Sequence, residues 1–224
     1  MSKIINFDSD DKFKEYRIKR ASMEIGGGSQ GNCYLGKDGF VYKDLTEGYF
    51  PPGIKIDDVI TSDVISLDSF ILPDVLFSSE GYLIGYMSKY IDKNLFKNSY
   101  IFNYGIDHID FDKLIDSYYL MINDALLLAE KNIKIMDLSY NILFDGEKLY
   151  AVDTDYYEKV DFPVFEHNKI CVDNALKDEF IMIADNYFDD YLYDSIDSMS
   201  TVDFLYYFHD KYSKNNSVQY TKTK

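Results

Sequence analysis

A short predicted hairpin with a polar residue at each end constrains the fold of this chain more than any other feature. Residues 142–144 (Ile-Leu-Phe) and 149–152 (Leu-Tyr-Ala-Val) are apolar and predict two buried strands. The Asp-Gly-Glu-Lys sequence between them predicts a tight turn, because glycine tolerates the positive φ that such turns need. Asn141 precedes the first strand and Asp153 follows the second, so the hairpin should bring these two side chains together.

An amide oxygen and a carboxylate in this position suggest a site for one hard cation. Mg²⁺ takes oxygen ligands, commonly one or two protein carboxylates, and completes its shell with phosphates and water. Asn141 and Asp153 would supply ligands of this kind. The alternative interpretation is structural, with both side chains capping the turns that flank the hairpin.

The composition predicts a folded chain without a nucleic-acid or membrane partner. The 224 residues fit one domain or two closely joined lobes, and a hydrophobic content of 46% supplies a core. The formal net charge of −16 opposes nonspecific binding to nucleic acid or to an anionic membrane, because those surfaces are themselves negative. Cys33 and Cys171 form no disulfide framework or zinc spacing. With no signal sequence and no apolar stretch of about 18 residues, we expect a soluble cytoplasmic protein.

Three glycines with the spacing G-x-G-x-x-G occur at Gly26, Gly28 and Gly31. Because these residues lack Cβ atoms, the backbone N–H groups of such a loop can approach phosphate groups closely. A dinucleotide-binding unit would need a helix after the glycines, but residues 33–43 predict a strand, a Lys-Asp-Gly turn and another strand. The pattern therefore favours a glycine loop between antiparallel strands, with Lys43 on the third strand. An ordinary exposed strand lysine is the alternative for Lys43.

Taken in order, these motifs resemble the protein kinase-like fold. A glycine loop, a strand lysine, an Asp-x-x-x-Asn sequence at 137–141 and a metal-binding aspartate, Asp153, follow one another as in that family. The resemblance covers roughly residues 23–155. It implies an α+β, two-lobed fold, with residues 1–90 as a β-rich N-lobe that contains one helix. Residues 91–224 would form a small, mainly helical C-lobe.

The resemblance also implies phosphoryl transfer from ATP, with Mg²⁺ as the second cofactor. Positioning and charge neutralisation supply most of the catalysis of this reaction. The resemblance implies that the backbone of Gly26, Gly28 and Gly31 covers the phosphates and that Lys43 binds the α- and β-phosphates. Asp137 would orient or deprotonate the acceptor hydroxyl. Asn141 and Asp153 would bind Mg²⁺.

Residues 55–69 predict an amphipathic helix, which in the resembled family carries an acid that pairs with the strand lysine. The apolar residues with helical spacing are Ile56, Val59, Ile60, Val64 and Leu67. The segment contains no Glu, so Asp63 is the candidate partner of Lys43 by position, with Asp58 next. A solvated position for either aspartate is the alternative.

The remaining segments predict further strands and helices around these motifs. Residues 73–77 and 82–90 predict two strands, the second ending in a hinge at 87–90 whose backbone would hydrogen-bond adenine in the resembled fold. Residues 111–131, 169–193 and 191–207 predict helices, and a strand pattern begins at Ile18. The polar C-terminus is expected to fray. A cluster of basic residues predicts a solvated face: Lys12, Lys14, Arg17, Lys19 and Arg20.

Several departures from the family pattern leave more than one function open. The usual His is absent, Met136 replaces the Arg, and Asn141 follows Asp137 by four residues rather than five. Thr154 and Asp155 replace the usual Phe-Gly, with Asp155 as a candidate structural acid, and no long activation segment follows. The leading hypothesis is ATP- and Mg-dependent transfer to a protein or small-molecule hydroxyl. A catalytically weak pseudokinase that binds a nucleotide or a partner is the alternative.

Overall fold

The computed structural model describes residues 3–48, 53–96, 109–185 and 198–222. Within these ranges the chain has the expected α+β architecture, with one six-stranded sheet, two two-stranded sheets and four α-helices. The helices are α1 (Asp10–Arg20), α2 (Phe111–Glu130), α3 (Phe165–Asp185) and α4 (Thr201–Lys222). The strands are β1 (Lys3–Asn6), β2 (Ala21–Gly28), β3 (Gly31–Gly36), β4 (Phe40–Asp44), β5 (Val75–Ser79), β6 (Tyr82–Lys89), β7 (Ile133–Lys134), β8 (Ile142–Phe144), β9 (Leu149–Ala151) and β10 (Glu158–Lys159). No described helix is long and apolar enough to cross a membrane.

The six-stranded sheet contains the strands that the glycine motif predicts. Its order is β1-β5-β6-β4-β3-β2, and its strands pair antiparallel except for β1 and β5, which run parallel. A tight turn joins β3 to β4, and Gly39 in that turn has a φ of 81°. Lys43 lies opposite Cys33 on β3 and Tyr86 on β6, in the middle of the sheet. The two strands predicted at 73–77 and 82–90 are confirmed as β5 and β6.

Two different elements cover the two faces of this sheet. On one face, Phe13 of α1 packs against Tyr42 and Phe77, whose rings stack with their centroids 6.0 Å apart. Side chains alternate between faces along a strand, so the neighbours of these residues point to the other side. There, Val59 from the segment between β4 and β5 packs with Leu76 and other buried residues.

The predicted helix at 111–131 and the predicted hairpin are both confirmed, and they build a second core. α2 begins after Asp110, whose carboxylate accepts a hydrogen bond from the backbone N–H of Lys113 at 3.2 Å. β8 and β9 pair antiparallel, and Gly146 in the turn between them has a φ of 104°. The buried face of α2 includes Leu114, Tyr118, Met121, Ala125 and Leu128, which pack with residues of α3, α4 and the hairpin.

The predicted helix at 55–69 is wrong. The structure has one short 3₁₀ turn there, Ile56–Asp58, followed by irregular chain. The apolar residues do not share one face, because Val59 packs against the sheet whereas Ile60 and Leu67 pack into the helical core. An amphipathic helix has a single apolar side, so a segment that contacts two separate cores cannot keep that geometry.

Other predicted elements differ in their boundaries. Residues 18–20 form the last turn of α1, and the strand begins at Ala21 rather than at Ile18. α3 begins at Phe165, earlier than predicted. α4 begins at Thr201 and continues to Lys222, where a frayed end was expected. The predicted helical residues 186–197 lie outside the described residues.

Asn168 connects α3 to the chain that precedes the Asp137–Asn141 loop. Its side chain is completely buried. Its Oδ1 accepts a hydrogen bond from the backbone N–H of Ile135 at 2.9 Å. Its Nδ2 donates to the carbonyl of Ala125 on α2 at 3.2 Å and to that of Ile133 on β7 at 2.9 Å. One amide therefore satisfies three backbone groups and joins two helices to the base of the loop.

Replacing Asn168 with Ala should destabilise the protein, because three buried backbone groups would each lose a hydrogen bond. We expect a loss of about 3 kcal/mol in the free energy of unfolding, which lowers the melting temperature by roughly 6–12 °C for a chain of this size. Differential scanning fluorimetry or calorimetry measures the change. Asn174→Ala is the matched control, since Asn174 is exposed on the same helix. Equal melting temperatures for the two variants would contradict this account of Asn168.

Candidate functional site

A cleft of about 640 Å³ lies between the six-stranded sheet and the β8–β9 hairpin. The glycine loop, Lys43 and the end of β6 line one side. The lining on the other side comes from Asp137, Ser139, Tyr140, Asn141, Leu143, Val152 and Asp153. Of the predicted site residues, those that line this cleft are Gly26, Gly28, Gly31, Lys43, Asp137, Asn141 and Asp153. They come from distant parts of the sequence, so the tertiary fold brings them together.

Asp63 is the predicted site residue that the structure leaves outside the cleft. Asp63, in the irregular chain, and the second candidate, Asp58, at the end of the 3₁₀ turn, are both exposed where a helix was expected. The ion pairs of Lys43 with described residues go instead to Asp153 and Asp155. The predicted pairing of Lys43 with Asp63 or Asp58 is therefore wrong, because the helix that would direct such an acid toward the sheet does not form.

The glycine loop is the hairpin between β2 and β3, and its glycines have two different roles. Gly31 has a φ of 144°, and a Cβ at this position would lie 2.3 Å from the backbone oxygen of Asp44. Gly31 is therefore required by the close packing of the chain beneath the loop. At Gly26 and Gly28, a Cβ would meet no atom within 4 Å. Their backbone borders open space in the cleft, as a phosphate-binding loop requires.

Arg17 of α1 supports the chain beneath the glycine loop. Its guanidinium donates to the carboxylate of Asp44 at 3.1 and 3.2 Å and to that of Glu47 at 2.7 Å. Glu47 also accepts a hydrogen bond from the Tyr34 hydroxyl, and the Arg17 guanidinium lies 3.7 Å from the centroid of the Tyr34 ring. The predicted solvated position is wrong for Arg17, which is buried. Its partners are 27 and 30 residues away in sequence, so local spacing gives no signal of these contacts.

Lys43 is a buried cation held by two carboxylates. Its side chain is 3% exposed, and its Nζ forms ion pairs with Asp153 and, at 3.2 Å, with Asp155. The Tyr86 hydroxyl donates to the same two carboxylates, at 3.0 and 3.2 Å. Burial alone would lower the pKa of Lys43, but the charges of Asp155 and Asp153 outweigh burial and leave the pKa above its ordinary value. Lys43 is consequently charged at neutral pH.

The two carboxylates beside Lys43 differ in exposure and in pKa. Burial raises the pKa of Asp155 to about 6; the charge of Lys43 opposes this rise, and the charge of Asp153 adds to it. Burial acts in the same direction on Asp153 and is the largest single cause, but the charge of Lys43 and the hydrogen bonds to this carboxylate together outweigh it and lower its pKa. The Asp153 side chain is 30% exposed, whereas that of Asp155 is 0% exposed. Asp153 is therefore the ionised carboxylate that a ligand in the cleft can reach.

The loop from Asp137 to Asn141 is a compact turn. The Asn141 Nδ2 donates to the Asp137 carbonyl at 2.8 Å, and the Asn141 backbone N–H donates to the Leu138 carbonyl at 3.0 Å. Asp137 and Tyr140 have φ values of 50° and 67°, in a backbone region that residues other than glycine rarely adopt. The Asp137 side chain remains exposed at the cleft. A ligand in the cleft can therefore contact this carboxylate.

The hairpin brings Asn141 and Asp153 together, as the sequence predicts. The backbone N–H of Val152 donates to the Asn141 carbonyl at 2.9 Å, directly beside Asp153. Asp153 has a φ of 60°. Asp137, Tyr140 and Asp153 thus line the cleft with left-handed backbone, a form of strain that is concentrated at functional sites.

Part of the cleft is apolar. Ile25 and Val41 line it from the sheet, and Leu143 of β8 lines it from the hairpin. Residues 88–91, at the end of β6, form its edge and overlap the predicted hinge at 87–90. Apolar walls on two sides of a cleft are suited to a flat ring.

Comparison of the sequence with models of known protein families gave no match, and neither did comparison with curated proteins. No cluster of three or more His, Cys, Asp and Glu side chains suited to a metal ion occurs in the described part of the chain. The donors that border the cleft at the hairpin are one carboxylate, from Asp153, and one amide oxygen, from Asn141.

Replacing Arg17 with Met should be strongly destabilising, because Asp44 would remain buried without its counter-charge. Loss of one partner from a buried ion pair costs about 3–5 kcal/mol in the free energy of unfolding, which chemical denaturation can measure. Lys19→Met is the matched control, since Lys19 is exposed in the same helix. If the two variants unfold at the same denaturant concentration, the Arg17–Asp44 pair does not support the fold as described.

Cys33 should react slowly with alkylating agents, because burial raises the pKa of its thiol to about 11 and the thiolate is the reactive form. In a Cys171→Ser background, we expect alkylation by iodoacetamide at pH 8 to be on the order of a hundredfold slower than in the same chain unfolded in denaturant. The rate should rise by about tenfold per pH unit from pH 7 to 10. A rate that becomes constant near pH 9, as it should in the unfolded chain, would contradict the raised pKa.

Proposed function

We propose that this chain is an ATP- and Mg-dependent phosphotransferase with a two-lobed, protein kinase-like fold. The observation that carries the proposal is the convergence on one cleft of the glycine loop, Lys43, Asp137, Asn141 and Asp153. Each of these groups matches a different requirement of phosphoryl transfer, and the sequence presents them in the family's order. In the proposed division, the six-stranded sheet with α1 is the N-lobe, and the hairpin with α2, α3 and α4 belongs to the C-lobe.

The cleft supplies a matching environment for each part of ATP. Its apolar part, between Val41 and Leu143, would receive the adenine ring, with the backbone at 88–91 along the edge of the ring. The open backbone at Gly26 and Gly28 would cover the phosphates. Lys43 is a charged ammonium at the back of the cleft, where it would bind the α- and β-phosphates.

The donor set at the hairpin fits Mg²⁺. Asp153 offers an ionised carboxylate, and the Asn141 amide uses its N–H to bind the Asp137 carbonyl, which leaves its oxygen as the ligand atom. Hard oxygen ligands in small number suit Mg²⁺, which completes its shell with phosphates and water. When bound, this ion neutralises negative charge on the phosphates that would otherwise oppose transfer.

Asp137 would orient the acceptor hydroxyl and accept its proton. Its carboxylate is exposed at the cleft, and its backbone is held by the hydrogen bond from Asn141. A positioned carboxylate of this kind contributes to phosphoryl transfer chiefly by aligning the nucleophile. Only residues 156–164 separate Asp155 from α3, so no long activation segment lies between them. This short connection is compatible with a protein or a small-molecule acceptor.

A nucleotide-binding module without turnover is the second candidate. The observation that favours it is the direct ion pair between Lys43 and Asp153. Lys43 is the proposed phosphate-binding group and Asp153 the proposed metal ligand, and in this ion pair they bind each other. ATP and Mg²⁺ would have to separate these two groups before transfer. The two candidates share the nucleotide site and differ in whether Asp137 supports turnover.

Adding excess ATP with Mg²⁺ should raise the melting temperature. A ligand at about 100 times its Kd adds about 2.7 kcal/mol of stability, or roughly 5–10 °C for a chain of this size. We expect Asp153→Asn to lose the part of the shift that depends on Mg²⁺, and Asp137→Asn to keep the whole shift. The exposed Asp116→Asn on α2 is the control for loss of a surface charge.

Turnover then separates the two candidates. Transfer of labelled γ-phosphate to water or to the protein's own hydroxyls should be detectable in the wild type, and we expect Asp137→Asn to reduce it by about a hundredfold or more. Binding with no transfer in either protein would favour the binding module. No melting shift at millimolar ATP would overturn the phosphotransferase proposal.

A further inference from the structure

Lys43 requires a permanent counter-charge, because it is almost completely buried. Its side chain is 3% exposed, and an ammonium removed from water is stable only when it is paired. The sequence-based candidates, Asp63 and Asp58, are exposed and line no part of the cleft. The counter-charge must therefore come from Asp153 or Asp155, the two carboxylates that contact the ammonium.

Asp153 and Asp155 are not equivalent partners. The Asp153 side chain is 30% exposed and lines the cleft, so a cation bound there would compete with Lys43 for its oxygens. The Asp155 side chain is 0% exposed and is not part of the cleft lining. A ligand in the cleft can therefore withdraw Asp153 from Lys43 but has no direct access to Asp155.

The chain around Asp155 is fixed by its own contacts. The hydroxyl of the preceding residue, Thr154, donates to the carbonyl of Ile71 at 2.9 Å, and the backbone N–H of Tyr157 lies 3.3 Å from the Thr154 carbonyl. The Asp155 Oδ1 accepts from Lys43 and from the Tyr86 hydroxyl, each at 3.2 Å. Its Oδ2 is buried and has no hydrogen-bond partner among the described residues. The hydrogen bonds of this carboxylate therefore go to the lysine and to the tyrosine that borders it.

We propose that Asp155 is the positioning residue for Lys43, and that it keeps the ammonium directed toward the phosphates when Asp153 turns to the metal ion. The inference rests on the proposed function, because it assigns a purpose to a contact within that nucleotide site. Under this proposal, the two acidic residues that follow β9 have different roles. Asp153 holds the cation, and Asp155 replaces the acid that the segment 55–69 does not supply.

The test is a double-mutant cycle between Asp155 and Lys43, read as the affinity for ATP in the presence of Mg²⁺. Isothermal titration calorimetry with Mg²⁺ reports the lysine–phosphate contact in the state in which Asp153 binds the metal ion and Asp155 remains with Lys43. We expect Asp155→Asn to weaken ATP binding by about tenfold or more, since the lysine loses a charge-assisted hydrogen bond that orients it. Asp63→Asn and Asp58→Asn are controls that should bind ATP as the wild type does.

The cycle separates a positioning role from a general structural role. If Asp155 acts through Lys43, the double variant Asp155→Asn with Lys43→Met should bind ATP no more weakly than Lys43→Met alone. Additive losses would overturn the inference, because they would mean that Asp155 supports the site by another route. Circular dichroism and melting of each unliganded variant identify any that fail to fold.

Failure of the inference and failure of the proposed function give different results. If the wild type binds ATP and Asp155→Asn binds it equally well, the inference is overturned while the nucleotide site stands. The inference is also overturned if Asp63→Asn, and not Asp155→Asn, weakens binding. If the wild type does not bind ATP with or without Mg²⁺, the proposed function is overturned and the inference with it.

Discussion

The burial of one ammonium group is the constraint on which the cleft depends. Lys43 lies in the middle of the sheet, and taking its charge out of water costs several kcal/mol unless opposite charges compensate. The compensating carboxylates, Asp153 and Asp155, follow β9 in the other half of the protein. Their pairing with Lys43 therefore holds the hairpin against the sheet. It also explains why the two acids differ in pKa, since they share one cation in unequal exposure.

The cleft also combines strained backbone with neighbouring segments that are held by buried hydrogen bonds. Asp137, Tyr140 and Asp153 have positive φ, which costs free energy and persists only where the surroundings impose it. Buried side chains fix the chain at both the Asp137–Asn141 loop and the glycine loop. Asn168 holds the chain that leads into the loop, and Arg17 holds the chain under the glycine loop. A rigid frame of this kind keeps polar groups in position for a ligand, which is the form of preorganisation that the proposed reaction needs.

Features encoded by neighbouring residues could be predicted from the sequence. Turn glycines predict the β8–β9 hairpin and the turn before β4. The helix α2 is predicted by apolar spacing within about twenty residues. Local patterns place Gly26 and Lys43 in strands and Asp153 just after a strand, but they carry no information on whether these residues meet. Only the order of the motifs, compared with that of the resembled family, suggests which of them should converge.

Only the tertiary structure decided how the segment 55–69 packs and which charges meet. Its apolar spacing is compatible with a helix, but its residues contact two separate hydrophobic cores. The spacing of apolar residues does not show how many cores a segment contacts. The ion pairs of Arg17 and Asp155 were equally beyond prediction, since their partners lie 27 and 112 residues away in sequence. By itself the sequence determined the local elements and the candidate ligands. The three-dimensional packing determined the ion pairs, because burial sets the cost of a charge and burial is a property of the whole fold.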